Sequence, residues 1–322
     1  MTRAFFTLLI ADSCAADYAE PLRVAFPDVR ILTATDRSAL RALIVEADGL
    51  ITFGTELDAI ALDCAPRLRW IQALSTGTDR ISPLLSTRTG IILTSARGAH
   101  GASVSEMALL LMLALARRLP SALRHQRNHV WIRETGTLLS GKTVGIAGMG
   151  VIGAQIAARS KAFGMLTIGF GSDPATTAHF DAFHRYSELR NIANRIDMLV
   201  VVTPLRTDTI GMIDRHVFEA MKRTAFLINV GRGAVVNESD LVAALLEGRI
   251  AGAAIDTFAE EPLPIASPLW ALENVIVTPH IGGLHDGYAE SVLPLIKINL
   301  QFLLDGQEVE MVNQVELKNG TA

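Results

Sequence analysis

The sequence predicts an α/β protein of two Rossmann-like or flavodoxin-like domains, each with a parallel sheet, separated by an active-site cleft. Three observations carry this. Short apolar runs alternate with helical patterns along the whole chain, as expected of buried parallel strands joined by crossover helices. A glycine-rich loop lies near the middle, between a strand-like and a helix-like stretch. At 322 residues the chain is also longer than one compact core usually serves.

The first series of strands is expected at Phe5–Ile10, Val29–Thr33, Gly49–Thr52, Trp70–Leu74 and Ile91–Thr94. Between them, Ser38–Glu46 is helix-like, with a serine where an N-cap belongs. A long helix follows over Ser103–Arg117. Ser103 and Glu106 have capping-box spacing, and Pro120 is expected to stop the helix. It is apolar nearly all round from Met107 to Leu113, as a helix buried between domains or subunits would be. The second series is expected at Thr143–Ala147, Thr167–Phe170, Met198–Val202, Phe226–Val230, Ala253–Asp256 and Val275–Thr278. Six strands with helices between them match a doubly wound nucleotide-binding domain. A last helix, Glu290–Leu304, comes after that domain is complete and can return to the first.

Composition excludes several classes. Half the residues are apolar and 19% are charged, for a net charge of −4. This gives no general attraction for nucleic acid or an anionic membrane. The apolar run Ala4–Ala11 is short, lacks a cleavage site and soon meets Asp12 and Asp17, so it reads as a strand rather than a signal peptide. Met107–Ala116 is too short to span a bilayer, which needs roughly 20 residues. A cytoplasmic protein is expected. Cys14 and Cys64 have no metal or redox spacing and read as two reduced, buried thiols, and no metal site is expected.

Gly148-Met149-Gly150-Val151-Ile152-Gly153 is a G-x-G-x-x-G loop in dinucleotide-binding context. The first glycine allows a tight turn, the second admits a pyrophosphate, and the third lets helix and strand pack closely. An acid about 20 residues on should hold the ribose 2′-hydroxyl. Asp173, next to Ser172, lies 20 residues past Gly153 with no arginine beside it in the chain, which modestly favours NAD over NADP.

Arg232, Asp256, Glu261 and His280 each follow an apolar strand, and ligands of open α/β sheets bind beyond the carboxyl ends of the strands. Arginine grips a carboxylate with paired donors. Histidine exchanges a proton near neutral pH, and a neighbouring carboxylate orients it. Taken singly, each could be an ordinary surface or core residue; beside a dinucleotide loop, their joint occurrence points to hydride transfer coupled to protonation of a keto acid.

These residues resemble the D-isomer-specific 2-hydroxyacid dehydrogenase family over nearly the whole chain. The matching segments are Val200–Leu205 with Thr207 and Thr209, Asn229–Gly233, Asp256–Phe258 with Glu261-Pro262, and Pro279–Gly283. The resemblance implies that Arg232 binds the substrate carboxylate, His280 is the general acid or base, and Glu261 is its partner. It further implies that Asp256 holds the nicotinamide carboxamide and that Thr203, Pro204, Thr209, Val230, Gly231, Gly282 and Gly283 border the cofactor. Ser75, Thr76 and Gly77 resemble the family's loop whose amides receive the substrate carboxylate. The implied domains are a discontinuous substrate-binding domain, 1–98 plus 288–322, and a dinucleotide-binding domain, 99–287. A homodimer through residues 103–142 is implied as well.

Two departures matter. The second-strand acid position falls on Gly171, and Leu284-His285-Asp286 follows the histidine motif where many relatives have a threonine. His285 is expected in an exposed loop, while Phe53, Leu74, His100 and Trp131 are unranked candidates for the pocket. No regulatory domain is expected after Ala322. The expected reaction is reversible reduction of a small 2-oxo acid, glyoxylate or hydroxypyruvate first, by an NAD(P)-dependent oxidoreductase. The alternative is an NAD(H)-sensing binding protein of the same fold with little activity.

Overall fold

The computed structural model describes residues 6–172 and 178–317. The chain forms two compact units, Met1–His100 with His285–Ala322, and Gly101–Leu284.

The first unit alternates β1 (Thr7–Ala11), α1 (Ala15–Ala25), β2 (Arg30–Ala34), α2 (Arg37–Leu43), β3 (Gly49–Thr52), α3 (Ala59–Asp63), β4 (Trp70–Ala73), α4 (Ser82–Leu85) and β5 (Ile92–Thr94). Its sheet runs β2-β1-β3-β4-β5, with every pair parallel. This is the flavodoxin-like order. β1, β3 and β4 are buried at every position, which is why they read as continuous apolar runs rather than as an alternation. Helix α2 is capped by Asp36, whose carboxylate accepts from the Ala39 amide at 2.9 Å. The expected cap, Ser38, lies inside the helix, because the aspartate two residues earlier already fills the role.

The second unit holds α5 (Gly101–Ala116), α6 (Leu119–Arg127), β6 (Thr143–Ala147), α7 (Val151–Ala162), β7 (Leu166–Gly171), β8 (Ala182–Arg185), α8 (Leu189–Ile192), β9 (Met198–Val201), α9 (Arg215–Ala220), β10 (Phe226–Asn229), α10 (Glu238–Leu246), β11 (Gly252–Ile255) and β12 (Val275–Val277). Its seven strands run β12-β11-β10-β9-β6-β7-β8, all parallel. The order reverses between β6 and β9, which opens the crevice where such sheets bind ligands. β8 is the strand missing from the sequence reading. It is a half-buried edge of sequence Ala-Phe-His-Arg and carries no apolar run.

Helix α5 begins two residues before Ser103, so the expected capping box does not form; the Ser103 hydroxyl instead reaches the Gly283 carbonyl at 3.5 Å. Pro120 does not stop α5 but opens α6, after a left-handed Arg118 with φ 54°. Proline suits a first helical turn, where its missing N–H costs nothing. One apolar position of α5, Leu110, is 55% exposed.

The chain then returns to the first unit with α11 (Tyr288–Leu304), whose Val292, Ile296 and Leu300 are fully buried in a cluster with Tyr18, Ala19 and Leu22 of α1. Both cysteines are exposed free thiols rather than buried: Cys14 caps the start of α1 and Cys64 the end of α3, and helix ends face solvent. No helix among the described residues is long and apolar enough to cross a membrane.

Candidate active site

Strand β6 delivers the glycine loop to the switch point, and its three glycines are required for different reasons. Gly148 has φ +114°, and a Cβ there would lie 2.9 Å from the Val202 carbonyl carbon. A Cβ on Gly153 would lie 1.9 Å from the Gly148 oxygen, so only glycine lets α7 pack against the loop. A Cβ on Gly150 would meet nothing within 4 Å. The second glycine therefore leaves open surface at the start of α7, where it is the N-cap and supplies no capping side chain. First-turn amides and the helix dipole face that surface. These residues fit the pyrophosphate of a dinucleotide. Met149 is buried, Ile152 is half-buried and Val151 is exposed.

The neighbouring cofactor candidates shape this crevice. The Thr203 hydroxyl, buried after β9, donates to the Ala147 carbonyl at 2.8 Å and ties the β9 loop to the glycine strand. Buried Thr209 donates to the Pro204 carbonyl at 2.8 Å and accepts from the Arg206 amide at 2.8 Å, closing the loop beyond it. Tyr186, absent from the sequence reading, touches Thr203; burial pushes its phenol up, against the opposing effect of that hydrogen bond. Ser172 follows β7 and is exposed, while Asp173 lies outside the described residues. An arginine distant in the chain nevertheless comes close to Ser172. The parallel register pairs Gly171 with Arg185, and the Arg185 guanidinium reaches the Ser172 carbonyl at 3.4 Å. Thirteen residues of chain separate the two, so only the unforeseen strand β8 brings them together.

Arg232, Asp256, Glu261 and His280 all lie just past the carboxyl ends of β10, β11 and β12, adjacent strands of one sheet. Gly231 sits where a Cβ would come 3.0 Å from the Val202 Cα, and beside it Val230 is buried. A Cβ on Gly233 would lie 1.9 Å from the Phe258 carbonyl carbon, so the arginine turn rests directly on the backbone of the acidic motif. Half-buried Arg232 donates from Nη1 to the Gly231 carbonyl at 2.8 Å.

His280 Nδ1 lies 2.9 Å from Glu261 Oε2 and 3.1 Å from Oε1. Glu261 Oε1 also accepts from the Phe258 amide at 3.0 Å, which fixes the carboxylate before the ring arrives. A ring that donates Nδ1–H to the carboxylate leaves Nε2 as the proton-exchanging nitrogen. The His280 backbone is left-handed, φ 55°, a conformation that costs an L-residue roughly 1–2 kcal/mol. Asp256 holds it there. Its Oδ1 accepts from the Thr278 hydroxyl at 2.6 Å and the Ile281 amide at 3.0 Å, and its Oδ2 from the Gly282 amide at 2.9 Å. Gly282 must be small, since a Cβ would lie 2.9 Å from Asp256 Oδ2. Sequence reasoning did not find this bracing role for Asp256; an acid at one strand end with small residues after the next strand was the available signal.

In the first unit, Ser75, Thr76 and Gly77 follow β4. The Ser75 hydroxyl donates to the Gly77 carbonyl at 2.6 Å, and the Ser75 carbonyl accepts from the Ala96 amide at 3.0 Å. Among the described residues, none accepts from the amides of residues 75, 76 and 77. Three consecutive amides with no protein acceptor suit an anion. Phe53 stacks on Tyr288 with ring centroids 5.6 Å apart, His285 is exposed, and Trp131, in the second unit, is 93% exposed.

The sequence model described as "D-isomer specific 2-hydroxyacid dehydrogenase, NAD binding domain" matches residues 109–282. A glyoxylate reductase of Korarchaeum cryptofilum is 33% identical over 283 residues, 85% of this chain and 85% of its own length. A D-3-phosphoglycerate dehydrogenase of Methanocaldococcus jannaschii is 34% identical over 289 residues, 88% of this chain; the chain spans only 55% of that relative. The crystal structure of a D-isomer specific 2-hydroxyacid dehydrogenase family protein from Aeromonas salmonicida superposes with a TM-score of 0.89 at 32% identity, over 98% of this chain and 100% of its own. A match across more than half the chain, joined to a relative at a third identity across most of both sequences, means that this chain belongs to the D-isomer-specific 2-hydroxyacid dehydrogenase family.

Proposed function

We propose that the chain is an NAD(P)-dependent 2-hydroxyacid dehydrogenase that reduces short 2-oxo acids, glyoxylate and hydroxypyruvate first. The carrying observation is the Glu261–His280 pair at 2.9 Å, placed with Arg232 at the ends of adjacent strands in the sheet that carries the glycine cradle. A nicotinamide dinucleotide, when bound there, supplies the hydride that adds to C2. His280 gives its Nε2 proton to the 2-oxo oxygen, and Glu261 stabilises the charged ring that does so. Arg232 grips the carboxylate with its planar fork, and the amides of Ser75, Thr76 and Gly77 in the first unit offer donors suited to a substrate carboxylate. Asp256 has acceptor capacity left on Oδ2 for the nicotinamide carboxamide, beyond its hold on the histidine turn. Gly282 and Gly283 keep that side of the ring uncrowded.

NAD is favoured over NADP through Asp173, and Arg185 at the Ser172 carbonyl is the group that would admit a 2′-phosphate. The ratio of kcat/KM with the two cofactors reads this balance. A second copy of the chain is the proposed partner, docking on residues 103–142. Trp131, Leu138, Ile132 and Leu110 there are 93, 69, 55 and 55% exposed, an apolar surface that a partner would cover.

The test is absorbance-followed turnover of NADH or NADPH with a panel of 2-oxo acids. His280→Ala should lower kcat by about 10² to 10⁴, the share of general acid–base catalysis, and Arg232→Ala should damage both KM and kcat. Tight cofactor binding without turnover of any 2-oxo acid would refute the proposal and favour a cofactor-sensing role.

A further inference from the structure

Four groups of the first unit form one hydrogen-bonded chain behind the Ser75–Gly77 loop. The Tyr288 hydroxyl, on the first residue of α11, donates to the Leu74 carbonyl and also contacts His100 Nε2 at 3.0 Å. His100 Nδ1 in turn lies 2.9 Å from the Thr76 hydroxyl. His100 is 8% and Tyr288 6% exposed, and both are neighbours of the loop rather than parts of it.

The proton positions follow from the partners. A carbonyl only accepts, so the Tyr288 proton points at Leu74, and the phenol oxygen must accept from His100. His100 therefore carries its proton on Nε2, and its bare Nδ1 accepts from Thr76. Each hydroxyl and each ring nitrogen has one orientation, from Thr76 through His100 and Tyr288 to Leu74. Burial pushes the Tyr288 phenol far up, so it remains a donor at any working pH. The Tyr288 ring is fixed between Phe53 at 5.6 Å and His100 at 5.2 Å.

We infer that His100 and Tyr288 are positioning residues for substrate: their relay grips the loop at Leu74 and Thr76 and holds its amides in line for the 2-oxo acid's carboxylate. This rests on the proposed role of residues 75–77. It distinguishes His100 from Phe53, whose side chain has no group that can hydrogen-bond to the loop. A preorganised loop pays less ordering entropy when the carboxylate arrives, so loss of the relay should weaken substrate binding more than chemistry.

The variants are His100→Ala and Tyr288→Phe, the latter keeping the ring over Phe53. KM for glyoxylate should rise about tenfold in each, with kcat within about threefold. KM for the cofactor should stay at the wild-type value, while the thermal midpoint falls by a few degrees because buried partners lose their bonds. His100→Asn, whose side-chain oxygen can stand in for Nδ1 toward Thr76, should recover part of the loss. A wild-type KM in both His100→Ala and Tyr288→Phe would overturn the inference. The wild-type protein offers a reading independent of turnover and of variant folding. Nitrogen-15 NMR should find the His100 ring neutral with its proton on Nε2, assigned by the signal lost in His100→Asn. An Nδ1–H tautomer or a doubly protonated ring at neutral pH would sink the relay. A wild type inactive on every 2-oxo acid, with the Nε2–H tautomer present, would refute the functional reading while the relay stands.

Discussion

Replacing Asp256 by alanine should cost both stability and turnover, by an amount its bonds determine. The carboxylate, 2% exposed, accepts from one hydroxyl and two backbone amides. Alanine leaves the buried Gly282 amide and the half-buried Ile281 amide without their partner, in a turn whose residues 279–281 are exposed. A buried donor left without a partner costs about 1–3 kcal/mol; the Ile281 amide, at an exposed residue, can turn to water and adds little, so the loss is about 1–3 kcal/mol. Total stabilities of domains are about 5–15 kcal/mol, so the loss is a large fraction. The His280 backbone, φ 55°, then has less to hold it in the left-handed region and relaxes, carrying its ring away from Glu261. Urea unfolding of wild type and Asp256→Ala should give a midpoint shift worth at least about 1 kcal/mol, and kcat should fall by about 10² or more. Asp256→Asn should lie between, since its amide keeps one acceptor but turns an N–H₂ toward a donor. A variant as stable as wild type, with His280 still working at full rate, would refute the reasoning.

Gly153→Ala places a methyl 1.9 Å from the Gly148 oxygen and should abolish dinucleotide binding, measured by NADH fluorescence, through displacement of α7 from the loop. Trp131→Asp should shift the protein toward monomer in analytical ultracentrifugation if residues 103–142 bind a second copy; an unchanged sedimentation coefficient would count against that interface. The Asp181 carboxyl is held below its ordinary range by Lys161 and by the Thr167 amide. A depressed carboxylate pKa stabilises the fold above the unfolded value, about pH 4, and this contribution disappears as pH falls through the folded value. Wild type should therefore lose more stability than Asp181→Asn as the pH drops below about 4 in urea titrations; parallel curves would remove the assignment.

The fold was legible where burial is two-sided. Parallel strands such as β1, β3 and β9 are covered on both faces and appear as bare apolar runs. The edge strand β8 has only half-buried or exposed side chains, and the same principle hides it. That miss also concealed Arg185, because its approach to Ser172 depends on sheet register and not on chain distance. Glycines were readable for a related reason: each close approach of backbones forbids a Cβ, and the spacing records it. Helix ends were harder. Ser38 and Ser103 are plausible caps, but Asp36 stands earlier at α2, and α5 begins before Ser103. The Glu261–His280 pair follows strand ends and could be anticipated as a convergence. The second task of Asp256 and the His100–Tyr288 chain could not, since both depend on hydrogen-bond partners that no periodicity encodes.

The left-handed backbone at His280 puts local comfort and chemistry in conflict. Glycine there would relieve roughly 1 kcal/mol of conformational strain, whereas the ring proposed to move the proton would be gone. Laboratory evolution under heat alone should therefore drift toward glycine at this position and discard the reaction. Only a screen that demands product keeps the imidazole, and thermostabilising changes to this protein are better sought away from the turn.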